Sequence, residues 1–485
     1  MGCHRVLKFS LTMALCLVSA GVAAQGAESG DGRPNILVIL VDDLGYADLA
    51  SYGHPTIRTP NLDRLAQEGV RFTDFYSAAP VCSPARAAFL TGRLPVRAGI
   101  YDWIPPGSDM HLSAEETTVA ELLRDAGYQT SMLGKWHLNG ALDADQPQPD
   151  DHGFDHWFAT AGFATPTHLD PFNFVLNGEE VGPLKGYACQ LVTDEAIRWL
   201  QEDRDPAKPF FQFVSYHEPH EAIASPPALV ASYPATQNPH EAEYFANVTN
   251  LDLAVGRLLA ALDEMDLAGD TLVLFTSDNG PEMLERHPQA HRSYGSAGPL
   301  RGKKLQLWEG GIRVPGIVRW PGRSQPGSVS RVPVSGIDLL PTLCAVAGVS
   351  VPPELELDGA DMTPTFVSKL VERDSPLFWY HYKAWGGPRV VMREGRWKVV
   401  GFWDGPERLR SDSSTMRPGD IELIRTTELV RFELYDLEID PGERRDVAAK
   451  NPAVFEAMRT EMVRMLADVQ NDARQDWRES WLRRW

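Results

Sequence analysis

The stretch Asn35-Ile36-Leu37-Val38-Ile39-Leu40-Val41-Asp42-Asp43 decides the fold. A continuous apolar run rich in β-branched residues, with no polar alternation, reads as a strand covered on both faces, as in a parallel sheet. It ends in two carboxylates, and ligands of open α/β sheets gather at the carboxyl ends of strands. Working outward, the pattern predicts helices over 61–68, 118–126, 187–200 and 241–265, and strands over 128–133, 209–216 and 271–276. Gly127 closes the second helix as a C-terminal glycine does. This alternation implies an α/β fold, a large and mainly parallel sheet sandwiched by helices. After about residue 375 the pattern changes. Two short runs joined by Glu394-Gly395 read as a hairpin, 433–437 as a further strand and 453–470 as a closing helix. The expected division is a main domain over 34–374 and a C-terminal α+β subdomain over 375–485, packed on it.

The chain has 485 residues, 43% hydrophobic and 23% charged, ordinary for a globular protein. Its formal charge of −20 argues against nucleic-acid partners, which need basic stripes. An anionic substrate would need a small local cluster of cations. Arg5 and Lys8, the apolar run Phe9 to Ala24 and the small residues Val22-Ala23-Ala24 read as a signal peptide over 1–24. The expectation is export to a periplasmic or extracellular space, with no transmembrane segment in the mature chain. Cys82, Cys189 and Cys344 then remain. The last two are either a bridge or two buried thiols. Asn247-Val248-Thr249 matches a glycosylation sequon.

Two strand ends carry oxygen donors only, Asp42-Asp43 and Asp278-Asn279. Such a set selects a hard cation, calcium or magnesium, over zinc or copper. Either pair alone is more often a turn or a helix cap; both together, each ending a buried strand, point to a metal site. Cys82 lies in Cys-x-Pro-x-Arg, with Leu90-Thr91-Gly92-Arg93 close behind. Lys135 and His137 are spaced i, i+2 on a segment read as extended, so they are expected on one side.

Four elements carry a family resemblance: Cys82-Ser83-Pro84-Ala85-Arg86, Gly134-Lys135-Trp136-His137, Ser277-Asp278-Asn279-Gly280-Pro281, and Trp308-Glu309-Gly310-Gly311-Ile312-Arg313-Val314-Pro315. They resemble type I, formylglycine-dependent sulfatases, most closely members like arylsulfatases and N-acetylgalactosamine-6-sulfatases, over roughly 34–450. The resemblance implies an alkaline-phosphatase-like superfold and a sulfuric ester hydrolase. It implies that a maturation enzyme converts Cys82 to formylglycine, whose hydrated aldehyde attacks sulfur. It also implies calcium, with magnesium as the alternative, on Asp42, Asp43, Asp278 and Asn279, with residue 82 as a further ligand. Arg86 is expected to point back at residue 82 and hold it. Lys135, His137, His217 and Lys304 match positions that contact sulfate; His217 with Lys304 is the expected acid and His137 the expected base. His220, Lys303 and His4 are read as ordinary residues, and His152 as structural or near the site.

The expected substrate is a sulfated carbohydrate, cleaved by exo-action on oligosaccharides. Loop residues Trp103, His168, Asp170, His291, Tyr294, His381 and Trp385 are candidates for the pocket rim, each weighed against an ordinary packing role. Rival readings are a phosphate or phosphonate monoester hydrolase of the same superfold and, with Cys82 unmodified, a calcium-dependent binder of sulfated glycans. A zinc phosphatase is disfavoured because the metal motif lacks histidines.

Overall fold

The computed structural model describes residues 1–2, 32–143, 145–233, 238–286, 288, 290–406, 409, 416–474 and 477. The expected signal peptide falls almost wholly on residues 3–31, outside the described set. Among the described residues no helix is long and apolar enough to cross a membrane.

Strands of the large sheet are β1 (Asn35–Asp42), β2 (Val70–Tyr76), β3 (Gln129–Lys135), β4 (His156–Thr160), β5 (Val175–Leu176), β6 (Glu179–Glu180), β7 (Phe210–Pro219), β8 (Thr271–Ser277), β9 (Arg313–Arg319), β10 (Ser328–Ser330) and β11 (Val334–Ser335). Their order is β10-β2-β9-β8-β1-β7-β3-β4-β5-β6, with β11 beside β2. Around the centre β8, β1, β7, β3 and β4 run parallel. β9 runs antiparallel to both β8 and β2, so the sheet is mixed towards that side. The apolar run that defines β1 is divided between two cores. Ile36, Val38 and Leu40 face one, with the helices Cys82–Thr91, Val119–Asp125 and Leu339–Ala347. Leu37, Ile39 and Val41 face the other, with the helices Pro60–Glu68, Ala188–Arg198 and Pro239–Glu264. The strand's two-residue period thus feeds both layers.

Local signals act as expected at several ends. Thr118 accepts from the Glu121 N–H while Glu121 returns to the Thr118 N–H, a capping box worth about 1 kcal/mol. Gly127 sits at φ +93°, the left-handed turn that a side chain would strain. β2 escaped sequence reading, because Arg71, Thr73 and Asp74 break its apolar run, and its antiparallel pairing with β9 is a long-range contact. A second, antiparallel sheet contains β12 (Leu377–Tyr380), β13 (Val390–Glu394), β14 (Trp397–Trp403) and β15 (Leu429–Asp436), in that order, with the helix Pro452–Asn471 against it. β13 and β14 form the hairpin around Glu394-Gly395.

Cys189 and Cys344 are free and buried in different cores, so the bridge is not formed. Asn247 is fully buried, its Nδ2 donating to the Ala224 carbonyl at 3.1 Å, so the sequon is not an accessible glycan acceptor.

Candidate active site

The carboxyl edge of β1 and β8 assembles the acidic cluster. Carboxylate oxygens of Asp42, Asp43 and Asp278 lie within 4.8 Å of one another, and all three residues are buried. Asp43 has φ +64°, a left-handed backbone that ends the strand abruptly, and its N–H donates to Asp278 Oδ1 at 3.2 Å. Asn279 Nδ2 donates to Asp43 Oδ1 at 2.6 Å. Asp42 Oδ1 and Asn279 Oδ1 are buried with no hydrogen-bond partner. Burial, followed by the neighbouring Asp42 charge, pushes the Asp278 carboxyl up to about 7. Burial raises Asp43 as well, against the pull of Lys304. Asp42 is the exception: burial pushes it up, but Lys135, His220 and Arg86 outweigh that and hold it well below the usual range. Converging buried carboxylates with two orphan oxygens fit a hard divalent cation, which would relieve both the repulsion and the missing partners.

Cys82 begins the helix Cys82–Thr91, next to that cluster, where the helix N-terminus favours negative charge. The helix starts there because Val81 is extended and Pro84 suits the first turn; it ends at Gly92 with φ +66°. The approach to Cys82 is clamped from several sides. Trp379 of β12 donates to the Ser77 carbonyl at 2.7 Å, and the Leu305 N–H donates to the Pro80 carbonyl at 2.7 Å. Burial, first of all, pushes the Cys82 thiol up to about 11.

The cations fall into two layers. Arg86, expected to point back at residue 82, is buried one turn on and spends its hydrogen bonds on other groups. Its Nε and Nη2 donate to Asp278 Oδ2 at 3.0 and 2.8 Å, and its Nη1 donates to the Lys135 carbonyl at 2.8 Å. The Nε–H and Nη2–H groups both land on one carboxylate oxygen, so Arg86 braces Asp278 with a pair of charge-assisted hydrogen bonds. Lys135, fully buried, donates to Asp42 Oδ2 at 2.5 Å. Lys304 donates to Asp43 at 2.7 Å; burial pulls its ammonium down, but Asp43 and Glu282 outweigh that and hold it well above the usual range.

A cavity of about 420 Å³ opens above Cys82, lined also by Trp103, His137, Phe163, His220, Glu221, Arg286, Lys304 and Leu305. His137 reaches it by a route other than an extended segment: its φ is +58°, in the left-handed region. Its Nε2 lies 2.9 Å from the Ile104 carbonyl, which can only accept, so Nε2 carries the hydrogen; Nδ1 is buried without a partner. Burial, then Lys135 and Arg86, hold its imidazolium form well below the usual range.

His217 and His220 exchange places relative to the sequence reading. His217 is not among the cavity-lining residues; its Nε2 lies 2.8 Å from the Thr160 hydroxyl and its ring meets Phe174 edge-on. His220 lines the cavity, its ring stacked on Phe163 and its Nε2 3.7 Å from Asp43 Oδ2. Both lie in His217-Glu218-Pro219-His220, and only the path of the chain past the end of β7 decides which one faces the cavity. Of the rim candidates, Trp103 lines the cavity, and Trp385 packs against Val81, Cys82 and Leu305. His168 is buried against Asn247, Asp170 pairs with Lys185, and His291 stacks edge-on with His240. Tyr294 accepts from Asn238, and His381 is buried away from the cavity lining. His152 is buried beside Trp136, a packing position.

An acidic cluster able to hold a metal ion, at the edge of a mainly parallel sheet and under a cation-bearing cavity, fits a hydrolase of the alkaline-phosphatase-like fold. Residues 34–349 match the sulfatase family, and 302–410 match the C-terminal region of N-sulphoglucosamine sulphohydrolase. The chain is 37% identical to arylsulfatase A of Bos taurus, covering 90% of this chain and 85% of that protein. It is 36% identical to N-acetylgalactosamine-6-sulfatase of Homo sapiens, covering 89% and 85%. The structure of Ps i-CgsB in complex with k-i-k-neocarrahexaose is 29% identical, with a TM-score of 0.76 over 92% of this chain and 94% of that one. The phosphonate monoester hydrolase of Agrobacterium radiobacter, 22% identical with a TM-score of 0.61 over 90% and 96%, shares the fold. The chain belongs to the sulfatase family and is a sulfuric ester hydrolase.

Proposed function

We propose that the protein is an exported, calcium-dependent sulfatase that removes sulfate from a terminal sugar, with Cys82 converted to formylglycine. The observation that carries this reading is the position of Cys82, at a helix N-terminus, below the cavity and beside the oxygen cluster. Asp42, Asp43, Asp278 and Asn279 would hold the cation, with residue 82 beside them. When present, the cation and the hydrated aldehyde supply a nucleophilic oxygen at neutral pH that a thiol would not supply.

The remaining roles belong to this chain's own residues. Lys304 places positive charge at the cavity where a sulfuryl group's peripheral oxygens would rest, offsetting the charge that shifts in the transition state, while Lys135, buried on Asp42 and outside the cavity lining, acts through that carboxylate. His220 is the acid: its Nδ1–H donates to the Glu221 carbonyl at 2.5 Å, and in its doubly protonated form the second proton sits on Nε2, 3.7 Å from Asp43 Oδ2, from where it passes to the departing alcohol oxygen. This role moves from His217, whose ring is engaged with Thr160 outside the cavity lining. His137 is the base, because its unpartnered Nδ1 can accept a proton at residue 82. In the net reaction a sulfate ester and water give the alcohol and hydrogen sulfate. Arg86 keeps the carboxylates aimed.

The relatives named for carbohydrate sulfates support a sugar as the alcohol, and a cavity of about 420 Å³ supports exo-action on a chain end. Residues 34–374 are proposed as the catalytic domain and 375–485 as a bracing subdomain, on the strength of the Trp379 clamp. The test is the mass of the tryptic peptide Phe72–Arg86 from protein exported beside a formylglycine-generating enzyme. The thiol-to-aldehyde mass loss is expected; an intact cysteine there would overturn the mechanism.

A further inference from the structure

The cavity's upper wall contains a pair that the chemistry above leaves unused. Glu221 lines it at 6% exposure, and Arg286 lines it alongside, Nη2 lying 3.7 Å from Glu221 Oε1. Arg286 is anchored by Glu282, which takes its Nε at 2.8 Å and also lies 3.7 Å from Lys304. The local charges are therefore spoken for. Lys304, Arg286, Asp43, Glu282 and Glu221 are linked in one run of ion pairs. Trp103, Phe163, Pro166 and Leu305, which are apolar, line the same cavity.

A carboxylate beside a guanidinium is an acceptor beside a donor. A sugar hydroxyl, which donates and accepts at once, complements both. An aryl or steryl group complements neither and would strip water from the pair while offering no hydrogen bond in return, a costly exchange. A second carboxylate or sulfate on the substrate would match the arginine but face the Glu221 carboxylate beside it. The apolar lining suits the less polar face of a pyranose ring.

We propose that Glu221 and Arg286 form a specificity pair that reads a hydroxyl of the alcohol portion. The preferred substrate is then a neutral sulfated hexose or N-acetylhexosamine, and sulfated uronates and hydroxyl-free alcohols are disfavoured. The inference rests on the cavity being the sulfatase active site. Its test compares wild type, Glu221→Gln and Arg286→Lys, each checked for an unchanged thermal melt. The substrates are 4-nitrophenyl sulfate, a set of galactose and N-acetylgalactosamine monosulfates, and a sulfated uronic acid. In wild type the best neutral sugar sulfate should exceed the sulfated uronate in kcat/KM. In Glu221→Gln its advantage over 4-nitrophenyl sulfate should shrink by on the order of tenfold to a hundredfold, the worth of a hydrogen bond to a charged group. Arg286→Lys keeps the charge but loses the fork, and should shrink the same ratio through KM more than kcat. Equal losses on the sugar and aryl esters would overturn the inference, because they would place Glu221 in the chemistry through His220. A wild type that is inactive on every ester, although residue 82 is converted, would instead overturn the functional reading itself.

Discussion

Replacing Lys398 by methionine should destabilise the protein by about 3–5 kcal/mol at pH 8, and by clearly less at pH 5. Lys398, on β14, is fully buried between two fully buried carboxylates, Glu309 Oε1 at 2.9 Å and Glu443 Oε1 at 2.8 Å. It also donates to the Leu307 carbonyl at 3.1 Å. Methionine keeps most of the volume and removes the charge, so the cost is that of leaving buried carboxylates facing each other. The pH dependence follows from the two partners' opposite shifts. Burial, eased by Lys398 and aggravated by Glu309, pushes Glu443 up to about 7. For Glu309, burial is outweighed by Lys398, Arg313 and Arg393, which pull it down to about 2. A raised carboxyl favours the folded state below its unfolded value, near 4.5, and loses that contribution as pH rises through 7. A depressed one contributes above its unfolded value and loses this as pH falls towards 2. At pH 5 Glu443 is therefore protonated, one carboxylate remains, and the mutation removes a smaller attraction. At pH 8 both are ionised in the wild type, and the variant must either hold two facing carboxylates or take up a proton, each of which costs stability. Urea unfolding of wild type and Lys398→Met at the two pH values reads the difference. A loss under about 1 kcal/mol at pH 8, or an equal loss at both, would refute the reasoning. The mutation should also lower kcat, because the Glu309 N–H bonds Glu443 Oε2 at 2.7 Å and the same segment carries Lys304 to the site.

Further outcomes are expected for the acid and for the cation site. His220→Ala should lower kcat/KM by about 10²–10⁴-fold, the span of a lost general acid, with a small change in melting temperature. His217→Ala should lower activity less and stability more, and a reversed pattern in steady-state kinetics and melts would return the acid role to His217. Calcium should raise the melting temperature of chelator-stripped protein, and Asp278→Ala should abolish that rise, since it removes one of the clustered carboxylates and frees Arg86. A calcium-independent melt in calorimetry would count against the oxygen cluster as the cation site.

Much of the site was legible in sequence because its parts end strands or begin a helix. The apolar run 35–41 could only be a strand covered twice, and Asp42-Asp43 at its end could only lie at the ligand edge. The oxygen-only donor set and the Cys-Ser-Pro-Ala-Arg element carried chemistry in their residue types alone. What required the tertiary structure was direction. Arg86 is one helical turn from Cys82, yet its Nε and Nη2 both bond Asp278 Oδ2, because a buried guanidinium needs an opposite charge as partner. His217 and His220 are equally plausible as letters, and the turn leaving β7 sends one to Thr160 and the other to the cavity. The Glu221–Arg286 pair joins a loop after β7 to one after β8, a contact between side chains 65 positions apart that no local pattern encodes. Local sequence determined which groups are present and at which strand ends. Long-range packing decided which of their atoms meet.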